Sequence, residues 1–346
     1  MTHLIVTAAE IEPGELNSFL SRFYSRAKCD FLRAHGNWWH GGIQNRWVLL
    51  VEDRIAGYCA VIPTQVLFHT QVLPAIWWVD LVIAPEFRGL GLQSLFDEKI
   101  RQMDGVILGI PNTLAAGIHA RHGWGVRNDL QALLLPLMPL AVNQVRTASG
   151  WRGRFLKLSA SMLTPWAWLV RQRLSRYRPQ TAHRLVEPSS ELLSVVFSRF
   201  KPTLLSTTYR DAAYFRWRFL EAPYRDELSF YVSGSENMPA HFLVLRQLKR
   251  NGITEARILD IFGDFSDEKG LKDITLLALR DAVMKESSQV IILTTLPQLK
   301  NLFFKLGFFF KSQVRFCWIT PSQHLMSLPW GQIHWTLADS DNDEMV

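Results

Sequence analysis

Cysteine is scarce in this sequence: the 346 residues include three, Cys29, Cys59 and Cys317, at widely separated positions. None belongs to a Cys-x-x-Cys pair, so both a disulfide framework and a cysteine-based zinc site are disfavoured. We therefore predict no metal site, and the cysteine content fits a reducing compartment.

Long apolar runs are also missing. No stretch reaches the roughly 20 consecutive apolar residues that a membrane-spanning helix needs. The start of the chain, Met1 to Val6, lacks the basic and apolar regions of a signal peptide. These absences predict a cytoplasmic location.

Acidic residues are absent from Arg146 to Arg178, although basic residues are frequent there and tryptophans such as Trp151 and Trp168 lie between them. Pro165 is expected to break or kink any helix in this segment. We interpret residues 143–182 as a connector, and three roles stay open for it. It can rest on an anionic membrane surface, contact an RNA backbone, or form a solvated pair of helices packed through aromatic side chains.

The sequence otherwise has the composition of a globular protein, with 48% apolar and 20% charged residues. The first half alternates strand and helix patterns, and the second half repeats the same order of elements. This repetition predicts a mixed α/β protein that contains two tandem copies of one fold. The predicted boundaries are a first domain over residues 1–142, a second over 183–325 and a tail over 326–346.

A glycine-rich turn, Arg88-Gly89-Leu90-Gly91, follows the predicted strand that ends at Ala84. A helix pattern begins immediately after it. Glycines let a backbone approach a ligand closely, and the first amides of a helix have no partner within the helix. Because the helix dipole also favours negative charge there, this turn is the candidate pyrophosphate site.

The turn resembles the coenzyme A loop of the GNAT acyltransferase superfamily, in which Gln or Arg is followed by two residues, Gly, one residue, and Gly or Ala. Arg88, Gly91 and Gln93 take these places. Gln93 departs from the pattern, which has Gly or Ala at this position, and its longer side chain can narrow the loop. The resemblance implies that acetyl-CoA or another acyl-CoA is the co-substrate. The cofactor contacts it implies are Leu81, Val82, Ile83, Arg88, Gly89, Leu90, Gly91, Leu92, Gln93 and Asn112.

A second stretch, Asn112 to Trp124, resembles the next motif of the superfamily in the spacing of its Asn, Ala and Gly-aromatic positions. The resemblance implies that Asn112 contacts the pantetheine or thioester end of the cofactor. His119 lies where the family commonly has the Tyr that protonates the leaving thiolate. Histidine can donate a proton near neutral pH, so we predict His119 as the general acid; a purely polar cleft residue is the alternative.

The second half resembles the same fold without its chemistry. Phe303 lies at the position of the proton donor, and Gly263 to Glu268 supplies acidic residues where a phosphate loop is expected. Carboxylates at a helix start repel a pyrophosphate. We interpret this half as a degenerate, non-catalytic copy that shapes the acceptor site.

Asp80 interrupts an apolar strand beside the expected cofactor groove. Burial in apolar surroundings is expected to raise the pKa of this carboxyl, which suits a general base that takes a proton from the attacking amine. The alternative is an aspartate hydrogen-bonded to backbone amides.

The stretch from Tyr209 to Tyr224 places Tyr214, Trp217 and Arg218 at helical spacing. It resembles, more loosely, a segment of tandem acetyltransferase-like proteins of bacterial surface-polysaccharide pathways. An aromatic and basic face of this kind can stack a sugar and bind its diphosphate, so we predict these three residues as substrate-binding. Packing against the domain's own sheet is the alternative.

Three functions remain open. The first is an acyl-CoA-dependent N-acyltransferase, with acetyl transfer to an amine acceptor such as a nucleotide- or lipid-linked amino sugar of a surface polysaccharide. The second is a Fem-like transferase that uses aminoacyl-tRNA, which the net charge of +7 favours. The third is a non-catalytic acyl-CoA-binding protein. A further expected partner is a membrane surface, through peripheral contact. tRNA is a partner only for the second function.

Overall fold

A computed structural model describes residues 2–68, 70–201, 206–235, 238–250, 252–320, 326 and 332–340. Its internal contacts divide the chain into two compact units. Unit 1 comprises Met1–Asn128, Arg315–Trp330 and Ser340–Val346, and unit 2 comprises Asp129–Val314 and Gly331–Asp339. The domain boundaries proposed from the sequence remain a prediction.

The helices of the described residues share the amphipathic or buried patterns expected of a packed α/β protein. They are α1 Pro13–Ser21, α2 Arg26–Trp39, α3 Gln93–Arg101, α4 Thr113–Arg121, α5 Asn143–Thr147, α6 Gly150–Ser175, α7 Ser190–Phe200, α8 Ala212–Phe215, α9 Glu268–Met284 and α10 Pro297–Lys305.

The strands are rich in β-branched and aromatic residues, which fit a pleated and buried surface. They are β1 His3–Thr7, β2 Arg46–Val51, β3 Arg54–Phe68, β4 Gln71–Ile83, β5 Val106–Gly109, β6 Gly125–Pro136, β7 Ala182–Leu185, β8 Ser206–Thr208, β9 Leu228–Ser235, β10 Met238–Arg250, β11 Ile253–Gly263, β12 Ser287–Thr294, β13 Phe309–Ile319 and β14 Ile333–His334.

The sheet of unit 1 follows chain order from β1 to β5, and residues 317–319 of β13 then pair with β5. The neighbours from β1 to β4 are antiparallel, while β4 and β5 are parallel. The parallel pairing includes only Ala75, Ile76 and Trp77 of β4, although β4 continues to Ile83. The two strands therefore separate beyond Trp77 and leave a gap between them.

The sheet of unit 2 has the order β7, β9, β10, β11 and β12, followed by residues 131–136 of β6. β11 and β12 are parallel, and the other pairs are antiparallel. Helix α9 buries one face against this sheet through side chains such as Leu271, Ile274 and Leu279. The mixed α/β class predicted from the sequence is confirmed.

The helix start of α9 is closed by its own acidic residues. The Asp267 carboxylate accepts a hydrogen bond from the Gly270 amide at 3.0 Å, and the Asp264 carboxylate accepts one from the Ser266 amide at 2.9 Å. Two amides at this helix start are thus already paired with carboxylates of the same segment. This arrangement supports the prediction that the second half lacks a phosphate loop.

Pro165 was expected to break or kink any helix in its segment. The prediction of a break was wrong, because α6 runs from Gly150 to Ser175 through this proline. Proline removes one backbone hydrogen bond of the helix. The Thr164 hydroxyl donates to the Ala160 carbonyl at 3.1 Å one turn earlier. The small side chains of Ala160 and Ala167 are buried on either side of it, so packing holds the helix together.

Candidate active site

The glycine-rich turn joins β4 to α3 as the sequence predicted. β4 ends at Ile83, a short 3-10 turn covers Pro85–Phe87, and α3 begins at Gln93. Gly89 and Gly91 have φ angles of 82° and 73°, a conformation that side chains disfavour. A Cβ atom at either position would meet nothing within 4 Å, so the turn borders open space.

The amides of this turn are available for a ligand. Within the described part of the chain, the backbone N–H groups of residues 89–93 donate no hydrogen bond to a protein acceptor. The next amide, that of Ser94, bonds to the Gly91 carbonyl at 3.0 Å and marks the first closed turn. Five free amides at a helix start form a site for an anion.

Arg88 and Gln93 flank these amides. The Arg88 Nε donates to the Ile83 carbonyl at 3.0 Å, so this side chain folds back over the end of β4. Gln93 is the first residue of α3 and is partly exposed. The departure of Gln93 from the family pattern therefore changes a side chain at the rim of the turn and removes no backbone amide.

A cavity of about 210 Å³ lies where β4 and β5 separate. Its walls come from the end of β4, from the segment after β5 and from α4, with two residues of the α1–α2 region. Lining residues include Tyr24, Lys28, Trp78, Asp80, Leu81, Asn112, His119 and Trp124. The structure thus brings together Asp80, Leu81, Asn112 and His119 from the predicted site.

Asp80 lies at a bulge of β4, because the pairing with β3 shifts register between Tyr58 and Ala60. Its φ angle is 57°, which is uncommon for a residue other than glycine and is found at functional sites. Its Oδ1 pairs with Lys28 Nζ at 2.6 Å, and its Oδ2 lies 3.1 Å from His40 Nε2. The Tyr24 hydroxyl donates to its carbonyl at 2.9 Å.

The predicted rise in the pKa of Asp80 was wrong. Burial alone would raise the pKa, but the charge of Lys28 and the hydrogen bond with His40 outweigh burial and lower it from 3.8 to about 2. A carboxylate with so low a pKa is a weak base. From its place in the cavity wall, the Asp80 carboxylate orients the Lys28 and His40 side chains. A catalytic role for Asp80 itself remains a prediction.

His119 is 5% exposed and packs against two tryptophans that also contact each other. Its ring centroid lies 5.1 Å from that of Trp78 and 4.5 Å from that of Trp124. Burial lowers the pKa of His119 from 6.5 to about 4, and Asp97 opposes this only in part. Such a pKa favours the neutral imidazole at pH 7, and a role for His119 as the general acid remains a prediction.

Replacing His119 with Phe should reduce the acid sensitivity of the fold. Because the pKa of His119 is lower in the folded state, its contribution to stability is present above pH 6.5 and is lost as the pH falls towards 4. Wild type should therefore lose about 2 kcal/mol more unfolding free energy than His119→Phe between pH 7 and 4.5. Urea unfolding at both pH values measures this difference.

The exposed His3 offers a matched control for that experiment. His3→Phe measures how the loss of an exposed histidine alone changes the stability. An equal loss of stability in wild type and His119→Phe would contradict the buried, neutral imidazole.

Asn112 is the N-cap of α4, and its Oδ1 accepts a hydrogen bond from the Ala115 amide at 2.9 Å. This contact orients the side chain at the cavity wall and consumes one of its acceptor positions. A contact between Asn112 and a cofactor remains a prediction.

The predicted substrate residues lie in unit 2, and the structure does not support the predicted face. Tyr214 and Arg218 are 9% and 1% exposed. Arg218 donates to the Ala338 carbonyl at 2.9 Å and to the Tyr224 hydroxyl. Only Trp217 of the three is partly exposed, so packing within the unit accounts for this cluster.

Sequence reasoning missed Tyr24, Lys28 and His40. Lys28, Leu32, Gly36 and His40 follow one another at intervals of four, which places them on one side of α2 and its end. Leu32 and Gly36 on this side are buried. A lysine and a histidine on a buried helix face were the available signal for an internal carboxylate partner.

Comparisons with known proteins agree on the fold. No protein-family model matches the chain, and no curated protein matches it in sequence. A GCN5-related N-acetyltransferase from Anabaena variabilis is similar over 92% of this chain and 72% of that one, with 15% identity and a TM-score of 0.57. Saccharomyces cerevisiae N-myristoyltransferase with bound myristoyl-CoA is similar over 92% and 82%, with 11% identity and a TM-score of 0.62.

A probable N-acyltransferase from Enterococcus faecalis is similar over 92% of this chain and 72% of that chain, with 11% identity and a TM-score of 0.56. At these identities the similarity concerns the fold. The chain therefore has the fold of the GCN5-related N-acetyltransferases.

Proposed function

We propose that the protein is an N-acyltransferase that transfers a short acyl group from acyl-CoA to an amine. The free amides of residues 89–93 carry this proposal. They lie at the start of α3, shortly after β4, the strand that separates from β5. Such a site suits the pyrophosphate of coenzyme A. The gap beyond Trp77 then receives the pantetheine arm, and Asn112 and Asp80 lie at its wall.

The reaction forms a carbon–nitrogen bond and breaks a carbon–sulfur bond. The neutral amine attacks the thioester carbonyl, a tetrahedral intermediate forms, and coenzyme A leaves as the thiolate. The amine proton passes to the thiolate or to water. The Lys28 side chain lines the cavity. We assign to its ammonium group the stabilisation of the negative charge that develops on the carbonyl oxygen.

The low pKa values of Asp80 and His119 bear on this mechanism. With a pKa of about 2 for Asp80 and about 4 for His119, neither group changes its protonation near pH 7. Positioning of the two reactants and stabilisation of charge then supply the rate enhancement. In this mechanism His119 shapes the thioester end of the cavity and offers a neutral N–H to the sulfur.

Cavity size and residue chemistry bear on the donor and the acceptor. A cavity of about 210 Å³ is smaller than the roughly 300–1,000 Å³ of sites for drug-sized ligands, which favours acetyl over a long acyl chain. An amino sugar of surface-polysaccharide biosynthesis is kept as the acceptor hypothesis. Its support is the sequence resemblance alone, because Tyr214 and Arg218 are buried.

Calorimetric titration with acetyl-CoA tests the proposal. We expect binding with a Kd below about 100 μM, in the range usual for substrates, and faster release of free thiol when a panel of amines is added. Binding of dephospho-CoA with similar affinity would fit recognition of the pyrophosphate. No heat at millimolar acetyl-CoA would contradict the proposal.

A gel-shift assay and the thiol-release assay separate the two alternative functions from the proposed one. A Fem-like enzyme would bind aminoacyl-tRNA in a gel-shift assay without competition from acetyl-CoA. A non-catalytic binding protein would bind acetyl-CoA and release no thiol with any amine. The free amides of residues 89–93 favour the acyl-CoA enzyme over the tRNA-dependent one.

A further inference from the structure

Helix α6 buries one narrow strip of small residues. Gly153, Ala160, Ala167 and Leu174 are buried and follow one another at intervals of seven. At 100° per residue they span about 60° of the helix circumference. Helix α6 contacts α9 within unit 2, and this strip is the buried side of α6.

The opposite side of α6 exposes large apolar side chains. Trp151, Phe155, Leu158, Met162 and Leu169 are 75%, 65%, 62%, 76% and 49% exposed. Their spacing of four, three, four and seven residues also places them within about 60°, centred opposite the buried strip. The stripe is about 27 Å long at 1.5 Å per residue. So many adjacent exposed side chains mark an interaction surface.

The exposed stripe continues onto a neighbouring strand. The Trp166 ring of α6 lies 5.3 Å from the Phe309 ring of β13 in an edge-on arrangement. Phe309 and the next residue, Phe310, are 44% and 55% exposed. The apolar surface is therefore wider than one helix.

Basic residues lie at both ends of the stripe, and its centre carries no charge. Arg152, Arg154 and Lys157 precede Leu158, and the residues from Leu158 to Val170 are all uncharged. Arg171, Arg173 and Arg176 follow. An apolar centre between basic ends matches the headgroup and acyl boundary of an anionic lipid layer.

The positive charge of the whole protein originates from this part of the chain. Residues 130–186 contain nine Lys and Arg and no acidic residue, whereas the full chain has 38 basic and 31 acidic residues. The remainder thus has 29 basic and 31 acidic residues, a net charge of −2. The charge is concentrated beside the exposed apolar stripe, where it adds to lipid binding.

We propose that the exposed face of α6 docks the protein on an anionic lipid bilayer, with its large apolar side chains at the boundary between headgroups and acyl chains. In the described residues no helix is long and apolar enough to cross a membrane, so α6 would lie in the plane of the surface. A second copy of the chain would bring the basic ends of two stripes together, which like charges oppose. RNA would require charge along the centre of the face, where 13 residues have none.

Vesicle flotation with the full chain tests this proposal. Wild type should float with vesicles of 30% phosphatidylglycerol and 70% phosphatidylcholine, and much less with pure phosphatidylcholine. Met162→Glu should reduce the partition coefficient at least about tenfold, because it places a carboxylate in the lipid. Met284→Glu is the matched control, since Met284 at the end of α9 is 67% exposed and lies outside the stripe.

The electrostatic part is tested separately. Replacing Arg152, Arg154 and Lys157 together with Gln should weaken binding, and 0.5 M salt should weaken wild-type binding in the same way. Three outcomes would overturn the proposal: no flotation of wild type, equal effects of Met162→Glu and Met284→Glu, or a dimer in sedimentation equilibrium that Met162→Glu dissociates. These measurements need no acyl transfer, so they are independent of the proposed activity.

Discussion

Replacing Gly91 with Asp should reduce the affinity for acetyl-CoA more than 100-fold while the fold remains intact. A Cβ at Gly91 meets nothing within 4 Å, and aspartate tolerates a positive φ better than most residues. Its carboxylate would lie beside the free amides and repel a pyrophosphate. At a separation of about 5 Å and an effective dielectric constant of about 20, the repulsion is about 3 kcal/mol per pair of charges.

Gly252 provides the matched control. It has a φ angle of 76°, and a Cβ there also meets nothing within 4 Å. It lies between β10 and β11, outside the turn. Gly252→Asp should therefore cause the same backbone strain and leave acetyl-CoA binding unchanged in a calorimetric titration. Similar affinities for the Gly91 and Gly252 variants would remove the turn from the cofactor site.

Asp80→Asn should lower the free energy of unfolding by about 3 to 5 kcal/mol. The Lys28 ammonium has 11% of its side chain exposed and would lose its carboxylate partner at 2.6 Å. A buried charge without a partner is far less favourable than the pair. Urea unfolding at pH 7 measures the effect, and Asp104→Asn, at an exposed position, should change the unfolding free energy by less than about 0.5 kcal/mol.

Removing both charges separates the two contributions. The double variant Asp80→Asn/Lys28→Met should be more stable than Asp80→Asn alone, because no unpaired ammonium remains. If Asp80→Asn matches wild type in stability, the ion pair does not hold this region. Acid should weaken the contribution of Asp80 only as the pH falls below 3.8 towards 2, since its pKa is lowered in the folded state.

The glycine-rich turn could be predicted from the sequence because every part of it is local. The strand end, the two glycines and the helix start lie within residues 83–93, and their order alone places free amides beside open space. Asn112 and His119 were predicted from the resemblance of residues 112–124 to a motif of the GNAT superfamily, which is also local in the sequence. Short-range patterns of this kind depend little on the rest of the fold.

The charge state of the site could not be predicted, because it depends on contacts between distant residues. Lys28 and His40 are separated from Asp80 by 52 and 40 positions, and each reaches the carboxylate through the way α2 packs. Apolar neighbours in the sequence suggested a raised pKa for Asp80, whereas its partners in space lower it. The same limit applies to Arg218, whose partner Ala338 lies 120 positions away.

Unit 1 includes residues from both ends of the chain: Met1–Asn128 and, later, Arg315–Trp330. Its strand β5 obtains a neighbour through Cys317, Trp318 and Ile319, which are synthesised about 200 positions after β5 itself. During translation the growing polypeptide must therefore keep an unpaired β5 edge while the whole of residues 129–314 emerges from the ribosome. An unpaired edge is a site for aggregation. We therefore infer that the nascent chain depends on chaperones during this interval. A protein truncated by a stop codon at position 315 would keep the β5 edge unpaired permanently.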